Sequence, residues 1–195
     1  MSTFRLFAVL TAFALSPFAL SPLATADSTV DDPLKAEVIA SVDAQAEALA
    51  NLSDAIWGYA EIAFRESQSA DALVRHAEAH GFSVTRGTGG IPTAFVAEYG
   101  SGKPVIGIMG EFDALPGLSQ AAVPERTPLE KGAPGHGCGH NVFGAASLGA
   151  AIAVKELIAS GELKGTIRYY GTPAEEKFFG KLWMIRDGAF EGVDV

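Results

Sequence analysis

Cysteine is almost missing from this sequence: Cys138 is the only one in 195 residues. A lone thiol forms no internal disulfide, and with no C-x-x-C pair it cannot complete a closed four-ligand structural zinc site. Positive charge is also scarce. The 14 Lys and Arg stand against 23 Asp and Glu, the formal net charge is -9, and no run of basic residues occurs. That removes the electrostatic footprint of a nucleic-acid binder. The N-terminal apolar run is short for a membrane anchor: Leu6 to Leu20, broken by Pro17, falls short of the roughly 20 residues a spanning helix needs, so no stable anchor is expected from it. Two familiar motifs are absent as well. Ala77 stands where H-E-x-x-H would require glutamate between His76 and His80, so that pair is expected on a solvated helix face. Around Gly102-Lys103, Ala97 and Pro104 replace the residues that a phosphate loop needs, which leaves a hairpin turn.

What is present describes one globular domain behind an export signal. The composition is 48% hydrophobic and 19% charged, the balance of a chain that can bury a core. The basic start Met1 to Arg5, the apolar run and Ala24-Thr25-Ala26 predict a cleavable signal peptide over residues 1–26 and an exported, periplasmic or secreted product. In residues 27–195, apolar residues at helical spacing predict one amphipathic helix from Pro33 to Tyr59. A second helix is expected from about Ser69 to His80, capped by Ser67 or Ser69 and closed by Gly81. Strands are expected over Phe82–Arg86, Thr93–Tyr99, Val105–Met109 and Thr166–Gly171, the third reading as a buried parallel or central strand. The Ala- and Gly-rich stretch Val142–Ser160 predicts a helix packed close against the sheet, and Leu182–Phe190 a short one. Gly117 to Pro134 reads as an irregular loop.

Chemistry concentrates at three places. Pro134-Gly135-His136-Gly137-Cys138-Gly139-His140-Asn141 puts a thiol two residues from an imidazole among glycines that let the backbone turn. Thiolate and neutral imidazole are good ligands for a borderline cation; a small cysteine in a glycine loop is the other reading of this segment alone. The helix that starts after His140 is expected to favour the Cys138 thiolate through its dipole. Glu111 and Asp113 follow the Val105 strand, and Glu175-Glu176 follow the Thr166 strand; strand ends are where open α/β sheets gather functional groups. One of two adjacent carboxylates can ligate a metal while the other takes a proton from an attacking water and returns it to a leaving amine. Taken singly, each acidic pair also fits a surface turn.

Gly110-Glu111-Phe112-Asp113-Ala114-Leu115-Pro116, His136-Gly137-Cys138-Gly139-His140-Asn141 and Gly171-Thr172-Pro173-Ala174-Glu175-Glu176 occur here in fixed order. In order and spacing they resemble the metal-dependent amidohydrolases that include hippurate hydrolase and the auxin-conjugate hydrolases. The resemblance implies an α/β fold, a zinc-exopeptidase-like three-layer αβα sheet. It implies a truncated catalytic domain: residues 27–195 would be its N-terminal part, without the lid or dimerisation domain and the C-terminal catalytic part. It implies a divalent metal site, zinc or manganese, with two ions in a complete member. The reaction would be hydrolysis of the amide bond of a small N-acyl amino acid such as aminobenzoyl-glutamate, and complete relatives would be homodimers. Carried over by motif, Cys138, His140 and Glu176 are metal ligands, Glu175 is the general base, and Asp113 has a supporting catalytic role that Glu111 shares where relatives carry Asp. Complete members hold further ligand histidines that His76, His80 and His136 do not match. A catalytically inactive fragment or metal-binding module is therefore the alternative. A cysteine-nucleophile hydrolase using Cys138 and His140 would leave the adjacent glutamates without a role.

Overall fold

The computed structural model describes residues 32–195; the expected signal peptide, 1–26, and the start at Asp27 lie outside the described residues. Pro33 opens helix α1 (Pro33–Ala44), where Asp32 caps the first turn by accepting from the Leu34 amide at 3.0 Å. The single helix expected to Tyr59 is broken at Gln45, where α2 (Ala46–Tyr59) begins. Gln45 is buried and its side-chain amide donates to the Ser41 carbonyl at 3.1 Å, competing with the main-chain ladder at the break. Helix α3 (Ser67–Ala79) starts two residues earlier than expected and is not capped by its serines. The Glu61 carboxylate accepts from the Gln68 and Ser69 amides at 3.1 and 2.9 Å, a charged acceptor at the positive end of the helix.

The sheet comprises β1 (Ser83–Arg86), β2 (Phe95–Ser101), β3 (Val105–Gly110) and β4 (Gly165–Gly171) in the order β1-β2-β4-β3. The expected hairpin at Gly100–Lys103 is corrected by this order: β4 lies between β2 and β3, antiparallel to the first and parallel to the second. The Val105 strand is parallel as expected, but it lies at one edge of the sheet and is only half-buried. Its outer edge is met by the last residues, with Asp194 N–H donating to Val105 O and Gly107 N–H to Val195 O, both at 2.8 Å.

Helix α4 (His140–Ser160) crosses one face of the sheet together with α2 and α3. Ile56, Leu73, Leu148, Ile152 and Ile167 are wholly buried there, each contributing about 1.5–3 kcal/mol. The close approach expected of the small residues holds at Gly144: a methyl group there would stand 2.7 Å from Glu111 O. Length and hydropathy alone would let α4 cross a membrane, but Leu148, Ala151 and Ile152 are spent on the core shared with the sheet, α2 and α3. On the opposite face, Ile91, Ala94, Tyr170 and Met184 form a smaller core under α6 (Gly180–Arg186) and the tail. Three layers result. A short helix the sequence did not suggest, α5 (Glu175–Phe178), follows β4.

Candidate metal centre

Because β3 and β4 run parallel and adjacent, their C-terminal ends open on one edge of the sheet. Thr172, just past β4, ties the two ends together: its amide donates to Gly110 O at 2.9 Å and its hydroxyl donates to the same oxygen at 3.2 Å. From this edge come Glu111 and Asp113 after β3 and Glu175 and Glu176 after β4. The third contribution is the start of α4, where Gly139 (φ +83°) lets the chain turn sharply so that His140 enters the helix beside Cys138.

His140 is the hub. Its Nδ1 is 3.0 Å from Asp113 Oδ1 and its Nε2 2.9 Å from Glu111 Oε2; Glu176 Oε1 and Glu175 Oε2 lie at 3.8 and 4.0 Å from the ring nitrogens. Cys138, His140 and Glu176 offer ligand atoms within 4.8 Å of one another, and so do Glu111, His140 and Glu175. One atom is left over: Glu176 Oε1 is buried with no hydrogen-bond partner. Buried acceptors are normally paired, and an orphan carboxylate oxygen beside an imidazole and a thiol suits a divalent cation. The donor set present therefore fits such an ion.

The cluster sets its own protonation. Burial alone would depress His140, but the Asp113 hydrogen bond and the charges of Asp113, Glu111 and Glu176 outweigh it and raise the imidazole above its ordinary value. Burial alone would raise Asp113, yet bonds from His140 and the Glu176 amide hold it below the usual range. At Cys138, desolvation and then the carboxylates of Glu176, Glu175 and Glu111 push the thiol up. The expected dipole effect of α4 is thus outweighed, since three like charges oppose a thiolate until a cation offsets them.

His76 and His80 belong to neither ligand group. Their rings lie 4.5 Å apart on α3, and His76 is half-buried rather than solvated. His136 points elsewhere, its Nε2 3.1 Å from Ile56 O. Two contributors were not visible in the sequence. Lys181 on α6 pairs with Glu111 Oε1, and Glu66, before α3, is wholly buried behind the site with its Oε1 2.8 Å from the Ala174 amide. No local pattern marks either residue, because each meets its partner across 70 and 108 residues of chain.

Residues 107–195, which carry all four strand-end carboxylates, Cys138 and His140, match the family model Peptidase family M20/M25/M40. This segment belongs to that family. The M20 chain is 46% identical over 155 residues to one component of the p-aminobenzoyl-glutamate hydrolase of Escherichia coli K12, covering 79% of this chain and 32% of that protein. It is 34% identical over 176 residues to the Xaa-Arg dipeptidase of Mus musculus, covering 83% and 37%. It thus spans about a third of the length of these relatives. Among solved structures, a dinuclear metal binding peptidase of the M20 family from Bacillus subtilis superposes with a TM-score of 0.64 at 28% identity, over 82% of this chain and 41% of that one. An aminobenzoyl-glutamate utilization protein from Klebsiella pneumoniae shares the fold, with a TM-score of 0.58 at 15% identity over 81% and 44%. The α/β architecture is that of an M20 hydrolase domain.

Proposed function

We propose that this M20 chain serves metal-dependent hydrolysis of the amide bond of N-acyl amino acids, with aminobenzoyl-glutamate as the representative substrate. The observation that carries it is the orphan Glu176 Oε1, buried beside His140 and Cys138. Cys138, His140 and Glu176 would hold a zinc or manganese ion, and the dinuclear relative supports a second ion near Glu111 and Glu175. A bound divalent cation supplies Lewis acidity at the scissile carbonyl and at the attacking water.

The residues of the chain do the rest. Glu175, 39% exposed at its side chain and 4.0 Å from His140 Nε2, faces solvent where a water can approach. It takes the proton of the attacking water and returns it to the leaving amine. Asp113 fixes the His140 ring through Nδ1 and, through Oδ2, holds the Glu176 amide at 2.9 Å. This carboxylate–histidine arrangement orients a ligand imidazole.

The decisive experiment is Mn2+ or Zn2+ titration combined with hydrolysis of 4-aminobenzoyl-glutamate. Glu175→Gln should keep the metal and lose turnover by about 10²–10⁴-fold, while Cys138→Ser should lower metal occupancy; wild-type behaviour in both would sink the assignment. A second reading, a metal-binding module without turnover, is favoured by the three donors in each group. Binding without chelator-sensitive hydrolysis would select it. Export is proposed on the N-terminal composition, with signal cleavage before Asp27 read by the intact mass of the native product.

A further inference from the structure

Glu66 stands out among the groups that the proposed chemistry does not use. It is wholly buried and forms no ion pair among the described residues. A buried carboxyl is costly unless its oxygens are bonded, and a leucine would fill the same space. Both of its oxygens are engaged: Oε1 accepts from the Ala174 amide at 2.8 Å and Oε2 from the Thr93 hydroxyl at 3.2 Å. Ala174 has φ +59° and ψ +36°, left-handed backbone that an alanine adopts at a cost of about 1–2 kcal/mol. The two residues that follow it are Glu175 and Glu176, and the Glu176 amide is held in turn by Asp113 Oδ2. Two carboxylates from distant parts of the chain therefore suspend one turn through its main-chain amides. Asp113 acts from the β3 end and Glu66 from the start of α3.

We propose that Glu66 is a positioning residue: anchored by Thr93, it clamps the Ala174 amide in the left-handed turn from which Glu175 and Glu176 project toward His140. The consequence for metal rests on the reading of Glu176 as a ligand; the clamp itself does not. Strained backbone persists where its surroundings over-determine it, and here the over-determining contact comes from a side chain that never touches the cluster.

The test uses the full chain without metal and then with Mn2+ alone. Glu66→Gln preserves an acceptor for Ala174 and can donate to the Thr93 hydroxyl; Glu66→Leu removes both bonds, and Thr93→Val removes only the anchor. Amide hydrogen exchange at Ala174 and Glu176 reads the clamp, and Mn2+ titration reads its consequence. Protection at Ala174 should fall about tenfold or more in Glu66→Leu, less in Thr93→Val, and little in Glu66→Gln. Mn2+ affinity should follow the same order, with a loss of about 10–100-fold for Glu66→Leu. Should Glu66→Leu fail to fold, Thr93→Val against Glu66→Gln carries the same contrast. Unchanged Ala174 protection in the variants that remove the bonds overturns the proposal. So does an equal loss of Mn2+ affinity in Ile152→Ala, which weakens the fold elsewhere. If the wild type binds no Mn2+, the metal reading falls, and Ala174 protection alone then decides the clamp.

Discussion

On the face of the sheet covered by α2, α3 and α4, Ile56, Leu73, Leu148 and Ile152 are fully buried, and the contacts are apolar and interchangeable in kind. At the C-terminal ends of β3 and β4 the picture inverts. Glu66, Asp113 and His140 are buried and polar, while Phe178, Phe179, Leu182 and Trp183, in and between α5 and α6, stand 43–65% exposed. One region is stable because water leaves it; the other keeps charge out of water and leaves apolar surface in it. Such inversion marks a place built for something other than stability, since buried charge and exposed aromatic surface both cost free energy. The first region should therefore respond to substitution in stability alone and the second in metal affinity and pH response.

The largest expected effect lies on the helical face. Ile152→Ala should cost about 2–5 kcal/mol in denaturant unfolding while leaving the Mn2+ affinity of the folded protein unchanged; a large change in affinity would erase the division between the regions. Next is a pH effect at the strand ends. Burial first, and the charge of Asp113 as well, push Glu66 from 4.5 to about 7, against hydrogen bonds including that from Ala174. Its folded value is raised, so the unfolded chain releases this proton first. Stability from this group is full below about 4.5 and is lost as pH rises through about 7, by up to about 3 kcal/mol. Glu66→Gln should flatten that decline in melts taken across the window, and an unaltered slope would remove Glu66 as its source.

A smaller effect is expected at Asp113. Asp113→Asn leaves a side chain of the same shape but without the charge that raises His140, and Mn2+ affinity should fall about 10–100-fold with little change in melting. An Asn variant that binds as well as wild type would mean that His140 needs no orienting partner. The smallest effect is at the surface: Phe179→Ser, at a residue 65% exposed, should move stability by less than about 0.5 kcal/mol. It should also reduce self-association in sedimentation, because the exposed apolar surface shrinks. A large loss of stability there would show that the Phe179 ring itself packs against the fold.

Much of the fold was legible from local pattern. The Ala- and Gly-rich α4, the Gly81 stop of α3 and the four strand segments all lie within a residue or two of where short apolar runs and turn residues place them, because those signals act over a few positions. The break at Gln45 and the Glu61 cap were not legible, since each depends on a side chain choosing a main-chain partner. The strand order could not be read either. Nothing near Gly100–Lys103 says that a strand some 60 residues later will insert beside β2.

Sequence by itself determined the types of group available for chemistry: one thiol, one imidazole two residues on, and carboxylates in pairs after apolar strands. Residue identity and short spacing fix which atoms can ligate or titrate. Tertiary structure alone decided which of them meet. The parallel pairing of β3 with β4 brings Asp113 and Glu176 together across 63 residues, and Glu66 reaches Ala174 across 108. The reason is physical: charge, hydrogen bonding and metal coordination act over a few ångströms, and only the packed sheet brings groups so distant in sequence within that range.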